Sequence, residues 1–300
     1  MEVSHTNTSL SWESYAVNNA LLDLITSNRL EMLDDNLFRG RSTWGGGVRI
    51  YGGQVMSQSL SAAQQTVAEG LVLHSMHAYF MRPGDPARPV IYDVEALRDG
   101  KSFVTRRITA RQHGHAIYSC EASFQKVEPG YEHQHEMPQI DGPDNLATDA
   151  ENFAKLPPEV RRPADWPIEY RQLHPIVTMT PEPMEPRNFV WMRAAGSLPD
   201  DLALHQQLLA FASDNHLLGT ALRPHGLRAM AENMQVSTID HSLWFHRPFR
   251  FDDWLMYELY SPSASNARGF SLGRIFDRQG RLVASAAQEG LMREWTEPKK

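Results

Sequence analysis

Residues 269–273, with the sequence Gly-Phe-Ser-Leu-Gly, have the G-x-S-x-G spacing of a nucleophile elbow. In α/β-hydrolases this spacing places a serine on a sharp turn between a strand and a helix, where its hydroxyl can attack a carbonyl carbon. Residues 274–283, which follow, are typical of a strand, a turn and a second strand. We therefore predict that Ser271 is an ordinary strand residue and not a nucleophile.

Several histidines have spacings that bear on acid–base or metal chemistry. His74 and His77 belong to one strand-like run, and their odd separation places them on opposite faces of a sheet. Only one of them can point into a given site, and His74 is a candidate auxiliary base. His133, His135 and Glu136 have a spacing that suits metal ligands, but they lie in a stretch without a fixed scaffold. We interpret them as a solvated loop and expect no metal or other cofactor.

Two strand-rich stretches, residues 77–126 and 241–290, resemble each other. Three matches occur in the same order at spacings of 165 to 167 residues: Tyr79-Phe80-Met81-Arg82-Pro83 with Trp244-Phe245-His246-Arg247-Pro248, Gly100-Lys101-Ser102-Phe103 with Ala267-Arg268-Gly269-Phe270, and 114–119 with 280–285. Such order and spacing indicate a duplicated unit. The period is about half of the chain, so we predict two domains, residues 1–127 and 168–300, joined by a linker at 128–167.

Hydrophobic periodicity and turn residues predict the same order of elements in both units. In the first unit we predict helices at 16–32 and 52–67, a glycine turn at 45–47, and strands at 73–81, 90–97, 103–112 and 116–127. In the second we predict strands at 170–177 and 189–195, a helix at 202–218, and strands at 235–246, 254–261, 269–277 and 282–295. A single helix followed by four antiparallel strands buries its apolar stripe only when the sheet curls around it. The pattern therefore predicts an α+β tandem of two hotdog units.

The composition argues against several classes of protein. The 300 residues carry a formal net charge of −7 and no dense Lys/Arg block, whereas a nucleic-acid partner requires a concentrated basic face. The single cysteine, Cys120, cannot form an internal disulfide, and its alternating surroundings predict a half-buried strand residue. Residues 1–12 lack an apolar signal core, no run approaches the roughly 18 apolar residues of a membrane span, and the last residues are not the peroxisomal tripeptide. We expect a cytosolic protein with no membrane partner.

Several longer segments match a known enzyme family. They are Phe38-Arg39-Gly40, Tyr51-Gly52-Gly53-Gln54-Val55, residues 74–80, Arg82-Pro83-Gly84-Asp85, residues 238–249 (Thr-Ile-Asp-His-Ser-Leu-Trp-Phe-His-Arg-Pro-Phe), residues 263–270 and Gln288-Glu289-Gly290. Together they resemble the acyl-CoA thioesterase II, or TesB-type, family over residues 36–293 apart from the linker. The resemblance implies a double hotdog that hydrolyses fatty acyl-CoA to free fatty acid and CoA, and it favours a homodimer or homotetramer.

The resemblance also implies the catalytic residues, which are Asp214, Thr238 and Gln288. Members of the family use an aspartate, a threonine and a glutamine at these places to bind and activate a water. Thioester hydrolysis needs such a water, a group that accepts its proton, and donors for the oxygen that becomes negative. An aspartate well inside an apolar helical segment, flanked by Phe211 and Leu217, is a stronger base than a solvated one.

The first unit does not offer the same three residue types. Ser61 or Ala62 corresponds to Asp214, and Ala122 or Ser123 corresponds to Gln288. We therefore expect one complete site in each chain, located where the two domains meet.

Further residues are candidates for substrate binding. Gly53 and Gln54 open the predicted helix, where backbone N–H groups can face an oxyanion, although a simple tight turn is the alternative. Arg268 lies in a small polar segment with Ser265 and Gly269 and can contact CoA phosphates, unless this segment is only a loop between strands.

Two other functions remain open at this point. The first is a hotdog hydratase acting on enoyl-CoA, because Asp214-Asn215-His216 offers an acid and a base, although side chains on a helix diverge by about 100° per residue. The second is a non-catalytic acyl-CoA-binding protein. Release of free thiol distinguishes a thioesterase from both.

Overall fold

The computed structural model describes residues 18–43, 49–158, 165–229, 231 and 233–295. The predicted glycine turn at 45–47 lies outside the described residues. No helix among the described residues is long and apolar enough to cross a membrane.

The described residues of the first half form two α-helices and six strands. Their bounds are α1 Asn19–Ser27, β1 Glu31–Asp34, β2 Leu37–Gly40, α2 Gly52–Gln64, β3 Leu71–Phe80, β4 Val90–Asp99, β5 Phe103–Gln112 and β6 His115–Lys126. The predicted first helix was too long at both ends. Asn18 caps α1 by accepting a hydrogen bond from Leu21 N, and after Ser27 the chain turns so that Met32 lies in β1.

The second half repeats this order with one interruption. Its elements are α3 Asp149–Phe153, β7 Ile168–Gln172, β8 Arg187–Ala194, α4 Leu202–Ser213, α5 Leu217–Leu222, β9 Met234–Thr238, β10 Asp240–Phe245, β11 Leu255–Ser265, β12 Arg268–Asp277 and β13 Leu282–Glu294. The helix predicted at 202–218 is broken after Ser213, because His216 has a left-handed backbone with φ of 74°. The strand predicted at 235–246 is likewise divided at Ile239.

All strand pairings in the sheet are antiparallel, and the sheet runs through both halves without a gap. The order is β1-β2-β4-β5-β6-β3-β10-β13-β12-β11-β8-β7, and β9 pairs with β13. At the centre β3 pairs with β10, and Ser242 lies opposite His77. These two residues are separated by the repeat spacing of 165, so a pseudo-twofold axis passes between them. The fold is the predicted tandem double hotdog.

The central helices α2 and α4 pack against each other inside the curved sheet. Residues of α2 from Gly53 to Ala63 are all buried, including polar ones such as Ser57 and Gln58, and α4 is buried from Leu208 to Ser213. Small side chains on α2 let the helices approach closely. As a result, the first turn of α2 lies against the last turn of α4, which places Gly53 beside Asp214.

Candidate active site

Asp214 is the residue at which α4 ends, not a residue well inside the helix as predicted. The following residue, Asn215, donates hydrogen bonds to the hydroxyl groups of Tyr51 at 2.8 Å and Tyr170 at 3.0 Å. These two bonds fix the non-helical turn, and the left-handed His216 completes it. The turn directs the Asp214 carboxylate towards the start of α2 and the end of β9.

The Asp214 carboxylate accepts three hydrogen bonds from three different elements. Its Oδ1 accepts from Thr238 Oγ1 at 3.1 Å and from Gln288 Nε2 at 2.8 Å, while its Oδ2 accepts from the backbone N–H of Gly53 at 3.1 Å. Thr238 is the last residue of β9 and lies opposite Gly290 of β13, two positions beyond Gln288. The structure thus brings the three residues singled out by the sequence into one hydrogen-bonded cluster.

Burial raises the pKa of Asp214 above its ordinary value of 3.8. Hydrogen bonds from Thr238, Gln288 and Gly53 oppose this shift, as does the charge of Arg49, but desolvation outweighs them. A carboxylate with a raised pKa is a better proton acceptor than a solvated one. The site therefore holds a fixed base with two polar side chains beside it.

A cavity of about 950 Å³ reaches this cluster, and Asp214, Thr238 and Gly52 form part of its wall. Much of the wall is apolar, and its apolar side chains include Ile50, Val55, Phe80, Phe153, Leu156, Trp166, Ile176, Leu218 and Val236. Four arginines also line it: Arg49, Arg82, Arg223 and Arg228. Among the described residues that line this cavity, Asp214 is the single carboxylate. The space suits a ligand with an apolar part and a strongly anionic part.

None of the six further residues predicted to bind substrate or to assist as a base lines this cavity within the described part of the chain. Gln54 is buried and donates to Arg41 O, and His74 bonds to Ser123. Ser265 is exposed, Arg268 pairs with Glu289 at 2.8 Å, and Gly269 packs closely on Met292 and Ala221. The sixth, Gly53, contacts the site, but its N–H already donates to Asp214 instead of facing an oxyanion.

Ser271 and the single cysteine are both buried inside strands, so Cys120 is more buried than the predicted half-buried residue. Ser271 lies within β12, is 1% exposed, and donates its hydroxyl to Leu217 O at 2.8 Å. Cys120 is buried in β6, and burial raises the pKa of its thiol to about 12. No group of three or more His, Cys, Asp and Glu residues in the described ranges could hold a metal ion.

The position of His216 relative to Asp214 differs from the one expected in a continuous helix. Because α4 stops at Ser213, the helical divergence expected between Asp214 and His216 does not apply, and both residues line the cavity. His216 packs edge-on against Tyr170 with ring centroids 5.0 Å apart.

Sequence reasoning missed two residues next to the cluster, His241 and Ser213. His241 is fully buried, and its Nδ1 lies 3.2 Å from Gln288 Nε2 while its Nε2 lies 3.0 Å from Ser213 Oγ. A signal was present, since His241 alternates with Leu243 and Phe245 on the buried face of β10. A histidine on an apolar face needs polar partners inside the protein.

The strand register allows a direct comparison of the two halves. Met76 lies opposite Ala122 across β3 and β6, and Leu73 lies opposite Phe124 after a bulge. In the second half, Thr238 lies opposite Gly290 and Ser242 opposite Ala287, which places His241 across from Gln288. The first half therefore has Leu73, Met76 and Ala122 where the second half has Thr238, His241 and Gln288.

The chain is similar to acyl-CoA thioesterases over most of its length. The family model for acyl-CoA thioesterase matches residues 159–291, and the model for the acyl-CoA thioesterase N-terminal domain matches residues 41–125. Acyl-CoA thioesterase 2 of Haemophilus influenzae is 39% identical over 279 residues, which cover 91% of this chain and 98% of that protein. Human acyl-coenzyme A thioesterase 8 is 40% identical and is matched over 88% of this chain and 86% of its own length.

A solved structure gives the same result. The acyl-CoA thioesterase II TesB2 of Mycobacterium marinum superposes with a TM-score of 0.75 at 39% identity, over 92% of this chain and 99% of that one. With the partly buried Asp214 cluster at the junction of two hotdog units, these matches show that the chain belongs to the acyl-CoA thioesterase family.

Proposed function

We propose that this chain hydrolyses acyl-CoA thioesters to a free carboxylic acid and CoA. The observation that carries the proposal is the Asp214 carboxylate, which is held by Thr238, Gln288 and Gly53 at the wall of a large cavity. The names and the identity of the relatives support the same reaction.

In the proposed mechanism a water molecule attacks the thioester directly, without a covalent enzyme intermediate. Asp214 takes a proton from the water while the water oxygen forms a bond to the carbonyl carbon. The π electrons of the carbonyl group move to the carbonyl oxygen. The tetrahedral intermediate then collapses, the C–S bond breaks, and the proton held by Asp214 passes to the CoA sulfur. Thr238 and Gln288 orient Asp214 and the water, because each offers both donor and acceptor atoms.

The developing negative charge requires a donor, and Gly52 is our candidate. Gly52 is the first residue of α2 and lines the cavity beside Asp214. A backbone N–H at the N-terminus of a helix has no partner within its own helix and lies at the positive end of the helix dipole. Donors of this kind stabilise the oxyanion of a tetrahedral intermediate.

The charge of the cavity wall supports CoA as the anionic part of the substrate. Arg49, Arg82, Arg223 and Arg228 line the cavity together with a single carboxylate among the described residues, and arginine binds phosphate oxygens through several N–H groups at once. CoA carries three phosphate groups, and the apolar side chains of the same cavity can receive an acyl chain.

The proposal is tested by offering the purified chain saturated and trans-2-enoyl CoA esters of short, medium, long and branched chains. A thiol reagent should detect free CoA from the saturated esters, and the absorbance of the enoyl group should not be lost by hydration. Loss of enoyl absorbance without thiol release would identify a hydratase, to which His216 in the cavity gives some support. Binding of acyl-CoA without turnover would indicate a non-catalytic acyl-CoA-binding protein.

The pH dependence of the reaction should show a single acidic limb from Asp214. Only the ionised carboxylate can accept the proton of the water, so activity is present above the pKa of Asp214 and is lost below it. Since burial raises that pKa, we expect the midpoint of the acidic limb of kcat/KM to lie above pH 3.8. A rate that stays constant through the acidic range, in enzyme shown by circular dichroism to be folded, would contradict Asp214 as the base.

A further inference from the structure

We propose that His241 is a positioning residue which, held by Ser213, orients the amide of Gln288 so that its N–H group faces Asp214. This inference rests on the proposed thioester hydrolysis and adds to it a buried residue pair that does not touch the substrate.

The direction of each hydrogen bond in the chain can be worked out from its far end. The hydroxyl of Ser213 donates to Ala210 O at 3.1 Å, so Ser213 Oγ is left as an acceptor. The partner of that oxygen, His241 Nε2 at 3.0 Å, must therefore carry a proton. A neutral imidazole with its proton on Nε2 has a lone pair on Nδ1. His241 Nδ1 accordingly accepts a hydrogen bond from Gln288.

Gln288 Nε2 has two protons, and the site provides an acceptor for each. His241 Nδ1 lies 3.2 Å away and Asp214 Oδ1 lies 2.8 Å away. If the amide rotated by 180°, the oxygen Oε1 would face both acceptors without a proton between them. Two acceptor atoms at this distance with no proton between them repel each other. His241 and Asp214 together therefore fix one orientation of Gln288.

The environment of His241 keeps it in the neutral form that this role requires. The residue is fully buried, and burial lowers the pKa of the imidazole to about 3. A protonated ring would carry a hydrogen on Nδ1 as well and could not accept from Gln288.

The first half of the chain shows that the fold itself does not need this pair. Met76 occupies the place of His241 and Ala122 the place of Gln288, in the same strands of the repeated unit and with the same bulge beside them. Both first-half residues are fully buried. The polar pair occurs in the half that carries Asp214. We therefore infer that the pair serves the Asp214 cluster and is not required to form the sheet.

The test compares His241→Leu, His241→Asn and Ser213→Ala with the unaltered enzyme. Leucine fills the space without an acceptor, whereas the Oδ1 atom of asparagine can replace Nδ1. We expect His241→Leu to lower kcat by about 10- to 100-fold with little change in KM, the size found when residues that orient metal ligands through hydrogen bonds are replaced. His241→Asn should restore most of that loss, and Ser213→Ala should give a smaller decrease.

A second measurement is independent of turnover. In protein labelled with ¹⁵N-histidine, the shifts of His241 should show a proton on Nε2 and none on Nδ1. His246→Leu is the matched control, because His246 also bonds to a serine, Ser285 at 2.8 Å, but lies outside the cluster. It should retain normal kcat and leave the His241 shifts unchanged.

The outcomes separate the two proposals. Normal kcat in His241→Leu, or a proton on Nδ1 of His241 in the unaltered enzyme, overturns the positioning role. Equal losses in the leucine and asparagine variants also overturn it, since a structural role makes no distinction between them. Full activity of Asp214→Asn would instead overturn the proposed hydrolytic mechanism.

Discussion

Replacing Asp214 by asparagine should slow thioester hydrolysis by about 10³-fold, within the range expected when a general base is lost. Asparagine has nearly the same shape, but its amide cannot accept a proton from water at neutral pH. Its NH₂ group would also face one of the donors that now bind the carboxylate, namely Thr238, Gln288 or Gly53. Thiol release measures kcat and KM, and circular dichroism with thermal unfolding checks that the fold is retained.

Asp240→Asn provides the matched control. Asp240 follows the bulge at Ile239, is partly buried, and also has a raised pKa, chiefly because of desolvation. It accepts a hydrogen bond from the backbone N–H of Glu289 at 2.7 Å, which an asparagine oxygen can also accept. It does not line the cavity. If both variants lost activity equally, or if Asp214→Asn kept full activity, Asp214 would not be the base.

Replacing Gly52 by alanine should lower kcat by about 10²-fold, because small displacements of a reacting group have effects of this size. A methyl group at this position would lie 2.8 Å from Asp214 Oδ2 and 3.0 Å from the ring of Phe80. These distances are too short, so the carboxylate or the ring must move. We also expect the methyl group to exclude water from the face of Asp214 that borders the cavity. The measurement is kcat with a substrate whose KM is known, together with the melting temperature.

Gly219→Ala is the control for this substitution. Gly219 also lines the cavity, yet a methyl group there would meet no atom within 4 Å. It lies within α5, where alanine is favoured over glycine by about 1 kcal/mol. We expect normal activity and slightly higher stability. Normal activity in Gly52→Ala as well would show that the space beside Asp214 is not where the water binds.

Much of the fold could be predicted because local patterns agree with it. The strand predicted at 103–112 has the observed bounds, and the turn that follows it, at His113 and Gly114, has two positive φ values, 50° and 75°. Such a pair of residues is typical of a tight hairpin between alternating strands. The start of α2 at Gly52 was also predicted correctly.

The end of α4 could not be predicted in the same way. The apolar pattern continues through Leu217 and Leu218, so periodicity alone extends the helix past Asp214. What ends it is Asn215, which binds the hydroxyl groups of Tyr51 and Tyr170, at separations of 164 and 45 residues. The grouping of the four arginines in one cavity and the hydrogen bond from Gly53 to Asp214 also join residues that are far apart in the sequence. Tertiary contacts of this kind leave no local signal.

The pairing of β3 with β10 changes how the segment between the two halves should be understood. Five cross-strand positions, from Asp240 opposite Tyr79 to Trp244 opposite Ser75, hold the halves in register by backbone hydrogen bonds. The connecting segment is therefore not needed to align Gly53 with Asp214. Besides placing Phe153, Leu156 and Trp166 in the cavity wall, the segment keeps one half at a high effective concentration for the other. The covalent connection keeps the two halves close to each other, while the shared sheet sets their relative position.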